Sequence, residues 1–290
     1  MNRIYDIVHF KVYDVSKLKA RAVLQRSFPG PIAKGASMFR RRIIVSSKPG
    51  TAQPLVRAAL EDDFHHFRVE VHGMDGYVAH IAGCALRQPY TLCNAAGARL
   101  EALLGMPLSS IAHEVTRVAD ASEQCTHLFE LAGLAIAAAA RGIARRQYDI
   151  EVPMRVTGRT VPRLARDGVD VLAWTVQDTV IAAPAPYAGV DLNRGMARWA
   201  LSTLPFEEAE AALVLRRCTG ISRGRGKPLD AQIHASPSGH CYSQQPVRAM
   251  QALRVVGSTW DFADTPEALC ADDLAWLAFS ASGGEGPTGE

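Results

Sequence analysis

The sequence predicts an α+β fold: an antiparallel sheet packed around a buried central helix, followed by a second, similar β unit. Three stretches predict it. Residues 120–142, DASEQCTHLFELAGLAIAAAARG, contain a run at 128–140 that is apolar on almost every helical face. A helix apolar all round belongs inside a protein. Residues 64–71 alternate in the manner of a strand, Gly73-Met74-Asp75-Gly76 supply a turn, and residues 77–86 return. Residues 148–156 repeat the alternation, and Arg166-Asp167-Gly168 mark a second hairpin turn.

Taken in order, residues 4–13 and 38–46 read as strands, with Pro29, Gly30, Pro31 and Gly35 in the loop between them. Residues 55–60 are open to helix or strand. In the first hairpin, alternation puts His65, Phe67, Val69 and Val71 on the core face and His66 on the wet one. After Pro89, Cys93 opens a helix through Leu104, stopped by Gly105 and Pro107, and a further helix covers 108–118. Asp120 and Glu123 have the spacing of a capping box for the central helix, which Gly142 ends. Strands follow at 148–156, 163–165, 169–176 and 180–183, then helices near 191–204 and 205–218. Residues 222–239 are a long Gly-, Ser- and Pro-rich loop, followed by a helix at 246–256 and a short one ending near Phe279. Phe67-Arg-Val-Glu-Val and Tyr148-Asp-Ile-Glu-Val are alike, which fits an internal duplication or two ordinary hairpins.

This gives an N-terminal β segment at 1–60, a motif-bearing unit at 61–142 and a second α+β unit at 143–220. A loop with C-terminal helices follows at 221–280 and a disordered tail at 281–290, and 61–280 can form a single domain. The chain of 290 residues is 48% hydrophobic and 21% charged, as in soluble globular proteins. A net charge of +3 is too small to imply nucleic acid. Arg40-Arg41-Arg42, and Arg216-Arg217 with Arg223 and Arg225, read first as solvated faces and second as contacts for an anion such as phosphate. The N-terminus lacks the apolar run of a secretory signal, and the central run is too short for a membrane span. The expected location is cytoplasmic, off the membrane. Six cysteines there imply free thiols or chemistry rather than a disulfide framework.

Three segments carry a resemblance: Glu61-Asp-Asp-Phe-His-His-Phe67, Pro89-Tyr90-Thr-Leu-Cys93 and Gln124-Cys-Thr-His-Leu-Phe-Glu-Leu131. With them the chain resembles the bacterial domain of unknown function 2889, over residues 61–142. The resemblance implies a place beside catabolism of aromatic, lipid or CoA-linked substrates, and no mechanism. A buried helix held by an antiparallel sheet is also similar to hot-dog-like folds.

The candidate site gathers on the central helix and what faces it. Cys93 and Cys125 sit at predicted helix N-termini, where the dipole favours a thiolate. His127 and Glu130 share a helix face, so Glu130 can fix the tautomer of His127. His127 and His65 are candidate bases, Cys93 a candidate nucleophile, and Cys125 and Thr126 candidate oxyanion or carbonyl contacts. Arg87 can pair with a substrate carboxylate or with Glu130, and Pro89 and Tyr90 can shape a pocket wall. The structural alternative is inert core thiols, a capping threonine and glutamate, and a histidine with a structural hydrogen bond. Zinc or iron held by Cys93, Cys125, His127 and His65 is also conceivable, but no spacing matches an established zinc pattern, so no metal is expected. The GxSxG spacing at Gly220-Ile-Ser222-Arg-Gly224 follows a predicted helix instead of a strand, the GxGxxG spacing at Gly284, Gly286 and Gly289 lies in the tail, and there is no P-loop, so neither a nucleophile elbow nor a cofactor is expected.

The expected function is a small hydrolase, foremost a thioesterase on an aromatic or other hydrophobic acyl-CoA, with basic residues at Arg216, Arg217, Arg223 or Arg225 holding phosphates. The alternatives are a cofactor-free lyase or isomerase and a non-catalytic ligand-binding protein. The partner expected is a small molecule, with homo-oligomerisation left open.

Overall fold

A computed structural model describes residues 37–280. The strand expected at 4–13 and the tail at 281–290 lie outside the described residues. The expected α+β class is observed. Seven antiparallel strands form one sheet in the order β4-β3-β2-β1-β5-β7-β8. The strands are β1 (Met38–Ser47), β2 (Leu55–Asp62), β3 (His66–Met74), β4 (Tyr77–Arg87), β5 (Arg145–Pro153), β6 (Arg159–Thr160), β7 (Arg163–Arg166), β8 (Val169–Ala173), β9 (Thr175–Gln177) and β10 (Val180–Ala183). The short β6, β9 and β10 make a separate sheet in the order β10-β9-β6. The second β unit thus extends the first unit's sheet, because β5 pairs with β1 along its whole length.

Register explains the two faces. Ile43 lies opposite Leu60 on one side and Tyr148 on the other, and Leu60 opposite Phe67. This row of four buried side chains faces the helices. The next row on the same face holds Arg41 opposite Asp62. The intervening residues Arg40 and Arg42 point to the other face, where they pair with Glu151 and Asp149. The arginine triplet is therefore not a solvated face: strand alternation drives Arg41 inside and its two neighbours into ion pairs.

The helices are α1 (Val115–Val118), α2 (Thr126–Arg141), α3 (Met196–Thr203), α4 (Phe206–Ile221), α5 (Pro246–Ala249) and α6 (Leu274–Leu277). Helix α2 packs on β1, β2 and β3, and α4 on β5, β7 and β8. One continuous core joins both helices to the sheet, so α2 does not have the face to itself. Asp120 caps a separate 3₁₀ turn, Ala121–Glu123, by accepting from the Ser122 amide at 2.8 Å. The central helix starts later than the capping-box spacing suggests, with Cys125 as its N-cap. Gly142 ends it in the left-handed conformation at φ 63°, where glycine avoids a Cβ clash. The helix expected from Cys93 is a run of 3₁₀ turns over Thr91–Leu103.

The other face of the sheet is covered by the C-terminal segment. Cys270 and Leu277 pack on Ile44 and Ala59. His66, on this face, is buried as well, with Nε2 2.8 Å from Asp273. It was expected to be wet, but the C-terminal segment covers it. No helix among the described residues is long and apolar enough to cross a membrane.

Candidate functional site

The turn from β2 to β3 builds the site. Asp62 is the last residue of β2 and completely buried. Its Oδ1 accepts from the Phe64 and His65 amides at 2.7 and 2.8 Å. Its Oδ2 accepts from Arg41 Nε at 2.8 Å and from a second nitrogen of the same guanidinium. These bonds fold the chain so that His65 turns back, placing Nδ1 3.0 Å from Asp62 Oδ1. Helix α2 meets this turn with its first residues. The His127 ring lies on the His65 ring with centroids 3.9 Å apart and planes at 31°. Phe67 stacks near both, at 5.6 and 5.7 Å.

The charge states follow from burial and partners. Burial alone would raise the Asp62 carboxyl, but His65 and then Arg41 overcome it and hold it far below the usual carboxylate range. Burial lowers His65, against the pull of Asp62. Burial, then His65, then Arg41 push His127 well below the ordinary imidazole value. Both rings are neutral at neutral pH. His127 Nε2 is buried and has no hydrogen-bond partner. A buried unpaired polar atom of this kind costs about 1–3 kcal/mol.

A network supports the array from behind. Arg41 Nη1 lies 3.6 Å from Glu130, and Glu130 lies 3.0 Å from Arg217. Glu130 therefore steadies Arg41 and makes no hydrogen bond to His127; Asp62 on His65 supplies the carboxylate–imidazole pair. Arg87 does not reach the cavity. It pairs with Glu61 at 3.2 Å and donates to the Asp62 carbonyl at 2.6 Å, bracing the turn. Asp62 and Arg41 were not among the residues expected from the sequence. Their signal was a charged residue at each of two core-facing strand positions.

His65 and His127 line a cavity of about 960 Å³, together with Tyr90, Cys93, Cys125 and Thr126. Its remaining wall includes Arg155, Arg216, Arg217, Arg223, Lys227 and Arg254. No aspartate or glutamate among the described residues lines it. Burial pushes the Cys93 thiol up to about 11 and Cys125 up to about 12. The expected thiolates do not form, because desolvation outweighs the helix terminus. Cys93 instead lies 3.4 Å from the Ser243 hydroxyl. Tyr90 donates to Gln232 at 2.9 Å.

Asp62, His65 and His127 bring three possible metal-ligand atoms within 4.8 Å of one another. Both Asp62 oxygens are already occupied by Arg41, two amides and His65. Asp62 is thus arranged to orient His65 rather than to ligate.

Fold and site define an α+β protein with a carboxylate–histidine–histidine array at a cationic cavity. Residues 50–141 match the family described as protein of unknown function (DUF2889), in agreement with the resemblance noted in the sequence. That region includes Asp62, His65, Cys93, Cys125 and His127. No curated protein matches the chain.

Proposed function

We propose that the protein is a hydrolase using Asp62 and His65 as a general-base dyad, acting foremost on the thioester of a hydrophobic acyl-CoA. The observation that carries this reading is the Asp62–His65–His127 array opening on a large, arginine-walled cavity. With Nδ1–H donated to Asp62, His65 presents Nε2 as the proton acceptor. It takes a proton from a water whose oxygen bonds to the acyl carbon. The C–S bond then breaks, and His65 returns the proton to the leaving sulfur, giving acid and thiol. Neutral His127 donates to the carbonyl oxygen as negative charge develops there. Water is the nucleophile in this reading because Cys93 is engaged with the Ser243 hydroxyl at 3.4 Å and burial raises both thiols. Six free cysteines suit the reducing cytosol.

The test is a thiol-release screen over aromatic and aliphatic acyl-CoAs with wild type, His65→Gln and His127→Gln. General-base loss is expected to lower kcat/KM by about 100-fold or more for His65→Gln, with the fold intact by circular dichroism. Absence of release from every thioester would reject the thioesterase. Two neutral imidazoles facing one cavity also suit proton removal and return by a cofactor-free lyase or isomerase. That reading requires exchange of a substrate carbon-bound proton with deuterated solvent, without thiol release.

A further inference from the structure

We propose that Arg155, Arg216 and Arg223, which line one cavity, form a subsite for a phosphate ester or diphosphate on the molecule that fills it. This rests on the reading of the cavity as a substrate site. The chain pairs most of its buried and half-buried arginines with carboxylates: Arg41 with Asp62, Arg217 with Glu130, Arg225 with Asp63, Arg254 with Asp230. Arg155 and Arg216 break that habit. Arg155 donates to the Thr219 carbonyl at 2.6 Å and the Ser222 hydroxyl at 3.1 Å, and its Nε is buried without a partner. Arg216 donates to the Leu192 carbonyl at 2.5 Å. Arg223 donates to the Asp178 carbonyl at 2.8 Å. None of the three has a carboxylate partner among the described residues, and all three line the cavity.

Half-buried cations held only by neutral oxygens are under-compensated. Burial lowers Arg155 and Arg216, and the positive charges of Arg223 and Arg217 lower them further; Glu130 and Asp191, neither hydrogen-bonded to Arg216, offset only part of this for Arg216. An anion entering the cavity relieves both penalties. The carbonyl end of α4 would repel such an anion, but Arg155 covers the Thr219 carbonyl. Planar guanidinium forks match phosphate oxygens, and a diphosphate uses two of them at once. The cavity is at the large end of the range that holds small molecules, roughly 300–1,000 Å³. It can therefore take a nucleotide-sized group alongside an acyl chain.

The experiment is calorimetric titration of the full chain with inorganic pyrophosphate, ADP, coenzyme A and, as a phosphate-free anion, citrate. The three phosphates are expected to bind, more weakly as salt rises, with Kd raised about tenfold or more in Arg155→Gln and in Arg216→Gln. Arg198→Gln, at an exposed site outside the cavity, is the charge control and should leave Kd unchanged. Arg155 braces the end of α4, so Arg155→Lys and Arg216→Gln carry the test if Arg155→Gln fails to fold. Unchanged Kd in those two, no phosphate binding at all, or citrate binding as tightly as pyrophosphate would each overturn the subsite. Arginine-dependent phosphate binding without thioester turnover keeps the subsite and removes the hydrolase. Equal wild-type kcat/KM for a CoA thioester and for the matching thioester without phosphates keeps the hydrolase and removes the subsite.

Discussion

At the scale of single residues, the proposed chemistry rests on Asp62. It neutralises a fully buried guanidinium, closes the turn to His65 and fixes the imidazole's tautomer. Asp62→Asn keeps the shape but leaves Arg41 with only Glu130, 3.6 Å away. Breaking a buried pair in this way costs about 3–5 kcal/mol, so chemical denaturation should show that loss. Turnover should fall with it, because the amide no longer selects the productive tautomer of His65. The histidines also set a pH dependence. Both have folded-state pKa values below the unfolded value of about 6.5. As pH falls below that value the unfolded chain binds protons that the folded chain refuses, so stability drops. Because the buried Asp63 carboxyl, pushed up to about 7, acts in the opposite sense, the histidine contribution is read as the wild-type urea midpoint minus that of His127→Gln at pH 8, 7, 6 and 5, a difference level above about 7 and falling below about 6.5. The acid limb of the turnover profile should fall below the ordinary imidazole value, since burial lowers His65. Much of this array was legible in the sequence: His65 on the core face and His127 at the head of a buried helix both follow from periodicity. Asp62 and Arg41 escaped because their functions depend on cross-strand register, Arg41 opposite Asp62, and one strand cannot reveal the register of the next.

At the scale of elements, the central helix is positioned by a close approach that composition alone does not disclose. A Cβ on Gly133 would lie 2.3 Å from the Ala112 carbonyl oxygen, a backbone atom that cannot rotate away. Alanine is the better helix former by about 1 kcal/mol, yet overpacking here costs about 1–3 kcal/mol. Gly133→Ala should therefore lower the melting temperature rather than raise it. It should also tilt the first turn of α2 and loosen the His65–His127 stack, which thermal denaturation and the histidine proton shifts in NMR can follow together. The hairpin and the buried helix were legible because their periods, two and 3.6, are local. The start of α2 was not: Asp120 and Glu123 have a capping spacing, but Asp120 caps its own short turn and the helix begins after Cys125.

At the scale of the whole molecule, the sheet's two faces divide the labour. One face carries α2, α4, the array and the cavity; the other is strapped by the C-terminal segment with α6. Asp273 is the centre of the strap, fully buried, bonded to Arg68 Nε at 2.5 Å and to His66 Nε2 at 2.8 Å. Arg57 adds a bond to the Trp276 carbonyl at 2.7 Å and lies over the Trp276 ring. Alternation in the sequence identified the face of His66 but not what covers it, because its partner lies 207 residues away. Asp273→Ala leaves an arginine and a histidine without their shared carboxylate, at a cost of about 3 kcal/mol. For a chain of this size that lowers Tm by roughly 6–12 °C. The lesion is on the face opposite the array, and distant sites contribute nearly independently, so below the new Tm kcat/KM should stay within about twofold of wild type. A large loss of turnover in protein that is still folded would mean that the strap also sets the array. The route would be the Cys270 amide bonded to Glu61 at 2.7 Å, Glu61 paired with Arg87, and Arg87 bonded to the Asp62 carbonyl.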